Sequence, residues 1–137
     1  MPKSPFAPST SLWIREHLMR ELESYPRKIY LDLKARAERL GYVPPSYQSI
    51  RNMIYVLHRL GLIRRVRREY PTRVIKRYKP ELPRAERRLV WLPDWARLSW
   101  YEITPGREND PRWISPIKAL YYPSEWERVR ALHPPLA

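Results

Sequence analysis

The segment after Ser46 combines an apolar stripe with a polar face, and helical geometry relates the two. Ile50, Ile54 and Leu57 recur at the spacing of one helix face, which predicts a helix over residues 46–60 with Ser46 as its N-cap. The same geometry turns hydrogen-bonding side chains to the opposite face: Gln48, Asn52, Tyr55 and Arg59, with Arg51 at its edge. Asn and Gln can bond adenine through two contacts, and Arg can bond guanine in the same way, so this face is suited to base contacts.

A strongly basic segment follows this helix. Residues 62–69 and 73–79, separated by a turn at Pro71, are predicted to form a β-hairpin. The two strands hold eight cations against the single anion Glu69. Like charges at this density repel one another unless an anion lies across them, so phosphate contact is predicted. Arg59, at the end of the helix, is added to these eight cations. The predicted phosphate contacts are then Arg59, Arg64, Arg65, Arg67, Arg68, Arg73, Lys76, Arg77 and Lys79.

Catalytic and metal-binding patterns are weak by comparison. The three histidines do not stand in a metal-ligand spacing such as His-Glu-x-x-His, and the three glycines cannot build a phosphate-binding loop. The absence of Cys removes disulfides and thiolate metal sites. Glu102, Glu108 and Asp110 could hold a cation near a turn, but a solvated loop is the favoured interpretation. We therefore expect no enzyme activity, no metal and no cofactor.

The composition restricts the class of partner. The chain has 137 residues, enough for one core with a small appendage, and a net charge of +13, which requires an anionic partner or environment. Nucleic acid is the commonest such partner. No apolar run approaches the roughly 20 residues of a membrane-spanning helix, and no secretion signal is recognisable, so a cytoplasmic location without a membrane partner is expected. Sixteen Pro against three Gly, with abundant Arg, Glu and Tyr, indicate a heat-adapted source.

The charge is unevenly distributed along the chain. Residues 1–63 contain 10 basic and 5 acidic side chains, residues 64–88 contain 11 and 3, and residues 89–137 contain 6 of each. The neutral tail nevertheless holds five of the six Trp, which suits burial of aromatic area better than contact with phosphates. These side chains are predicted to pack a satellite core against the first helix, or to form an interface with a second copy or another protein: Trp91, Trp95, Trp100, Trp113 and Trp126.

Two further helices are predicted before the polar one. Ile14, Leu18 and Leu22 are spaced four apart and predict a first helix that ends before Pro26. Residues 29–31 are predicted as a short strand. Asp32 is then a suitable N-cap for a second helix, which would bury Leu33, Ala37 and Leu40 and end at Gly41.

The tail is predicted to be mainly extended. Strands or extended segments are expected over residues 89–103 and 113–122, around a turn at residues 104–106. Ser124 and Glu127 have the spacing of a capping box, which predicts a last short helix with Trp126, Val129 and Leu132 turned inward.

These elements in this order resemble a known family. The stretches Ile29-Tyr-Leu-Asp-Leu-Lys-Ala-Arg-Ala-Glu-Arg-Leu-Gly41 and Ser46-Tyr-Gln-Ser-Ile-Arg-Asn-Met-Ile-Tyr-Val-Leu-His-Arg-Leu-Gly61-Leu-Ile63, followed by the basic ribbon, resemble the winged helix-turn-helix family of nucleic-acid-binding domains. The resemblance covers about residues 12–79. It implies an α+β fold with three helices and a basic two-stranded wing, in which the N-terminal half of the third helix meets base edges. By position, the base contacts carried over are Tyr47, Gln48, Arg51, Asn52 and Tyr55.

The predicted organisation is an irregular arm over residues 1–10, a winged helix-turn-helix domain over 11–79, a basic linker over 80–88 and a small aromatic-rich C-terminal extension over 89–137. The implied function is binding of duplex DNA, as a transcriptional regulator. A structural RNA-binding protein, such as a ribosomal or ribonucleoprotein component, is the alternative, because basic proline-rich extensions also thread between RNA segments. A further alternative is an interaction scaffold whose aromatic tail is the working surface. Stacking of the tail on unpaired bases is disfavoured by its neutral charge.

Overall fold

Three helices and a two-stranded antiparallel sheet surround the main apolar core, which makes the fold α+β. The computed structural model describes residues 9–69 and 98–132. The elements are α1 (Thr10–Glu21), α2 (Pro26–Leu40), α3 (Tyr47–Arg59), β1 (Ile63–Glu69), β2 (Leu98–Ile103), α4 (Pro116–Tyr121) and α5 (Pro123–Val129), with 3-10 turns at Pro111–Trp113 and Arg130–Leu132. Within these two ranges, no helix has the length and apolar character needed to cross a bilayer.

The first helix was predicted correctly except at its last turn. The hydroxyl of Ser9 caps α1 by accepting from the backbone N–H of Leu12, and Ile14 and Leu18 are buried in the core. Leu22, predicted on the same face, is instead 74% exposed, because the chain leaves the helix there with a φ of 71°. The apolar face therefore ends one turn early.

The second helix begins earlier than the sequence predicted, so the strand predicted at residues 29–31 is wrong. Pro26 opens α2 at its first position, where the fixed φ of proline suits a helix and its missing N–H costs nothing. Ile29, Leu33 and Ala37 are then buried at four-residue spacing, which is a helical and not a strand period. The prediction that Asp32 is an N-cap is also wrong, because Asp32 lies inside the helix.

Both predicted helix boundaries on either side of the turn before α3 are confirmed. Gly41 ends α2 with a φ of 81°, in the left-handed region that favours glycine. The hydroxyl of Ser46 accepts from the backbone N–H of Ser49 at 3.0 Å and so caps α3. Ile50, Ile54 and Leu57 of α3 are buried, as predicted.

The sheet joins the middle of the chain to its C-terminal part. Strand β1 pairs antiparallel with β2, with Ile63 opposite Ile103 and Glu69 opposite Leu98. The register shifts between Arg65 and Arg67, as at a β-bulge, which changes the direction of the side chains that follow. The hairpin partner predicted at residues 73–79 lies outside the described residues, as does most of the strand predicted over 89–103.

The C-terminal part folds differently from the predicted extended segments. A 3-10 turn at Pro111–Trp113 and helix α4 replace the strand predicted over residues 113–122, because prolines at the first positions start both elements. Helix α5 is confirmed, but no side chain caps it, so the predicted capping box is not formed. Trp126 is buried as predicted, whereas Leu132 is 75% exposed.

Trp113 belongs to the main core and not to a separate satellite core. Its side chain is fully buried among the core residues of α1, α2, α3 and β1. Its indole N–H donates to the carbonyl oxygen of Arg107 at 2.8 Å, and its own carbonyl oxygen accepts from the hydroxyl of Ser11 at 2.6 Å. Arg15 of α1 also donates to the backbone of Glu108. The described C-terminal residues therefore complete the core that α1 to α3 begin.

Candidate nucleic-acid interface

Helix α3 presents the predicted polar face to solvent. Helices α1, α2 and α4 and strand β1 pack against other sides of α3, and its remaining side is open. Four of the side chains predicted to contact bases are exposed, with Tyr55 at 55%, and Tyr47 is half-buried. The exposed ones are Gln48, Arg51, Asn52 and Tyr55. The helical interpretation of this segment therefore places the predicted set together on one accessible surface.

Two amides on this surface are joined to each other. The amide nitrogen of Gln48 donates to the side-chain oxygen of Asn52 at 2.8 Å, one helical turn away. The oxygen of Gln48 and the nitrogen of Asn52 remain free to accept and to donate. An acceptor and a donor side by side match the hydrogen-bonding pattern of adenine in the major groove, which offers an N–H donor beside the N7 acceptor.

The stretch of sequence that contains α3 and most of β1 has no acidic residue. Between Gly41 and Arg68 there is no Asp or Glu, while six arginines fall in the same stretch. The acidic residues of the two strands are Glu69, at the end of β1, and Glu102, on β2. The exposed face of α3 therefore lies in a stretch whose positive charge is not offset by any acidic residue of the local sequence.

Two of the arginines that were predicted as phosphate contacts on β1 form ion pairs within the chain. Arg64 pairs with Glu102, which lies opposite it on β2, at 2.7 Å. Arg67 pairs with Glu23 and Glu69 and lies over the ring of Trp100 at 4.5 Å. Both arginines thus form ion pairs within the chain, and their phosphate contacts stay a prediction.

The ion pair between Arg67 and Glu23 shifts the titration of both groups. The hydrogen bond that Arg67 donates to Glu23 raises the pKa of Arg67 above its ordinary range, and the same bond lowers the pKa of Glu23. Because Glu23 precedes α2 and Arg67 lies on β1, the contact joins two elements of the fold. Arg67 therefore positions the strand.

The other predicted phosphate contacts divide into two groups. Arg59, Arg65 and Arg68 are exposed at the end of α3 and on β1. Within residues 9–69 and 98–132, Arg59 and Arg65 form no ion pair with an acidic side chain. The predicted contacts Arg73, Lys76, Arg77 and Lys79 lie outside the described residues.

The predicted tryptophan interface is corrected where the structure describes it. Trp113 is fully buried and Trp126 is 5% exposed, so neither can offer much area to another protein. Trp100 is half-buried and packs edge-on against Tyr25 at 4.8 Å. Trp91 and Trp95 lie outside the described residues. In the described part of the tail, the large exposed apolar side chains are instead Ile117, Tyr121, Tyr122 and Leu132.

Sequence reasoning missed a buried histidine network beside the sheet. Nδ1 of His17 lies 2.7 Å from a carboxylate oxygen of Asp32, and Nε2 lies 2.8 Å from the hydroxyl of Ser24. This order of groups is that of a Ser-His-Asp triad. However, Ser24 is fully buried and its backbone exchanges two hydrogen bonds with Tyr101 of β2, so no substrate can reach its hydroxyl. The network therefore fastens α1, α2 and β2 together.

Carboxylates in such networks make the stability of the fold depend on acid. Burial alone would raise the pKa of Asp32, but hydrogen bonds from His17 and Arg20 outweigh it and lower the pKa. Burial and the bonds from Arg112 act in the same way on the pKa of Asp110. A carboxyl with a lowered folded-state pKa stabilises the fold above its unfolded pKa of about 3.9, and this contribution is lost as pH falls through the folded value.

We therefore expect the free energy of unfolding to decline as pH falls below about 4, and Asp32→Ala to make that decline shallower. The variant should also lose roughly 1–3 kcal/mol at pH 7, since it removes the carboxylate that accepts hydrogen bonds from His17 and Arg20. Urea unfolding between pH 3 and pH 7, followed by circular dichroism, measures both effects. Glu127→Gln is the control, because it breaks only an exposed pair with Arg130 and should change stability by less than about 1 kcal/mol. If Asp32→Ala left the decline of the free energy of unfolding below about pH 4 unchanged, the stabilising role of the Asp32 carboxylate would be wrong.

Several charged groups in the described part of the tail form ion pairs within the chain. A cavity of about 430 Å³ is lined by Arg107, Arg112, Arg130 and Trp126, but Asp110 and Glu127 in its wall pair with these arginines. The cation site considered at Glu102, Glu108 and Asp110 is not assembled, because Glu102 binds Arg64 and Asp110 binds Arg112. In the described ranges, no group of three or more potential ligands is placed to hold a metal ion.

Comparison of this chain with protein-family models, with curated proteins and with solved structures finds no match.

Proposed function

We propose that this protein binds duplex DNA through the exposed face of α3 and acts as a sequence-reading regulator. The observation that carries the proposal is the accessible, acid-free face formed by Gln48, Arg51, Asn52 and Tyr55. The major groove of B-DNA is about 12 Å wide and admits a helix, so side chains on one helix face can reach base edges. The short three-helix arrangement with a strand after α3 supports a winged helix-turn-helix layout for this contact.

The chemistry of the face supports base contacts over simple charge attraction. The Gln48–Asn52 amide pair offers an acceptor and a donor, and Arg51 can offer two donors to guanine. Each well-formed pair of this type gives about 1–3 kcal/mol of discrimination against the wrong base. Neutral amides can also bond phosphates, but the accepting oxygen of Gln48 meets no donor there, whereas base edges offer N–H donors.

Phosphate contacts would come from the cations around this face. Arg59 and Arg65 are exposed, and neither forms an ion pair with an acid in the described ranges, so both can meet phosphates without first breaking an internal pair. The basic residues 73–79 are proposed to add to them. RNA binding is the alternative function, because arginines bind the phosphate backbone of either nucleic acid.

The test is a salt series on the full chain. Fluorescence anisotropy with a random-sequence duplex, a matched single strand and an RNA hairpin should show tightest binding to the duplex. If about six phosphates are neutralised, the slope of log Kobs against log salt should be about −5, which is roughly a thousandfold loss between 50 and 200 mM.

Arg130→Gln is the control for a general effect of charge. It removes one exposed cation that is paired with Glu127 on the tail, so the salt slope should stay within about half a unit of the wild type. A preference for the RNA hairpin would replace the proposed function with RNA binding. A flat salt response on every probe would overturn nucleic-acid binding altogether.

A further inference from the structure

A cluster of cations and phenol rings lies where α2 meets α3, and it includes α2 residues outside the predicted contact sets. Tyr30 of α2 and Tyr47 of α3 pack edge-on, with ring centroids 5.5 Å apart. The guanidinium of Arg27 lies 5.5 Å from the first ring and 5.8 Å from the second. Lys34 approaches the ring of Tyr30 at 6.0 Å, and Arg51 approaches the ring of Tyr47 at 5.9 Å.

The cluster contains no carboxylate. Two other cations of α2 are paired, since Lys28 binds Glu21 and Arg36 binds Glu16. Within residues 9–69 and 98–132, by contrast, Arg27, Lys34 and Arg51 form no ion pair with an acid. Aromatic faces attract these cations but leave their charge in place. Three positive charges are therefore gathered on one small surface without neutralisation.

The position of the cluster relative to the base-reading face decides what it can bind. Tyr47 and Arg51 belong to both surfaces, because Arg51 lies at the edge of the face that carries Gln48 and Asn52. A helix in the major groove has a phosphate backbone along each side of the groove. Cations beside the reading face would therefore meet phosphates when α3 contacts bases.

We propose that Arg27 and Lys34, held on the rings of Tyr30 and Tyr47, form a phosphate-binding site for the DNA backbone on α2, beside the base contact of Arg51 on α3. This inference rests on the proposed function and extends it. From the sequence, phosphate contacts were predicted only at the end of α3 and on the basic hairpin over residues 62–79. The site fixes the position of α3 in the groove through contacts that carry no sequence information. The rings restrict the long side chains, so less conformational entropy is lost when they bind phosphate.

The variant Arg27→Gln with Lys34→Gln tests the site in the full chain. It should lower the salt slope for duplex binding by about two units and weaken all duplex sequences alike. The matched control is Lys28→Gln with Arg39→Gln, which removes two charges from the same helix. Helical geometry places residues 28 and 39 on a different side of α2 from 27, 30 and 34, so the slope should fall by less than about half a unit.

A second pair of measurements separates direct contact from a change in folding. The charge-preserving variant Arg27→Lys with Lys34→Arg should restore the wild-type slope. Duplexes in which single phosphates are replaced by neutral methylphosphonates should reveal positions where the wild type loses affinity and the Gln variant loses none. An unchanged slope in the Gln variant, with a wild type that binds duplex, overturns this site alone. A wild type that does not bind duplex overturns the proposed function as well.

Discussion

Trp113→Ala is expected to lower the free energy of unfolding by about 3–5 kcal/mol. The indole is fully buried among residues of α1, α2, α3 and β1, so its removal leaves a large cavity that the rigid neighbours cannot fill. The variant also frees the carbonyl of Arg107, which accepts from the indole N–H. Urea unfolding of the wild type and variant at pH 7, followed by circular dichroism, measures the loss.

Tyr122→Ala is the matched control. It removes an aromatic side chain from the same C-terminal part of the chain, but Tyr122 is 59% exposed. Its cost should stay within about 1 kcal/mol. A fragment of residues 1–88 lacks both Trp113 and strand β2, so the same argument predicts that it does not fold cooperatively. A Trp113→Ala variant as stable as Tyr122→Ala would show that the C-terminal residues are an appendage, as the sequence first suggested.

Local chemistry made the helical part of the fold predictable. Ser46 and Gly41 act through contacts within a few residues of themselves, a hydroxyl that caps a helix and a backbone that adopts a positive φ. The buried stripe of α3 follows from its 3.6-residue period alone. The position of the exposed polar face of α3 could be predicted for the same reason, since it is the opposite side of that stripe.

The early start of α2 also has a local explanation that competing signals hid. Ile29 to Leu31 contains β-branched and aromatic residues that favour a strand, and Asp32 has the chemistry of an N-cap. Pro26 at the first helical position and the four-residue spacing of Ile29 and Leu33 favour a helix instead. Burial of that apolar face against the core decides between the two, because tertiary packing outweighs intrinsic propensity.

Long-range pairing could not be predicted. Strand β1 pairs with residues about 35 positions further along the chain, and no local spacing specifies Arg64 opposite Glu102. The same holds for the contacts of His17 with Ser24 and Asp32, which depend on how α1 and α2 pack. Net charge therefore could not show which arginines of β1 form ion pairs within the fold.

This division of the arginines leads to a prediction that separates base contacts from phosphate contacts. Arg51→Ala and Asn52→Ala should each relax the preference for particular bases, with about 1–3 kcal/mol lost on the preferred site and little on others. Arg65→Ala should instead weaken all sequences alike and lower the salt slope by about one unit. Selection of each variant on a randomised duplex library, followed by anisotropy on the selected site, distinguishes the two results.

Arg67→Ala provides the internal control on the same strand as Arg65. Its guanidinium is held by Glu23, Glu69 and the ring of Trp100, so its removal should lower the free energy of unfolding by about 1–2 kcal/mol. At temperatures where the variant stays folded, base preference should be unchanged, and the salt slope should fall by clearly less than in Arg65→Ala. If the Arg51 and Asn52 variants gave the same profile as Arg65→Ala, α3 would contact the backbone only, and its assignment as the base-reading helix would be wrong.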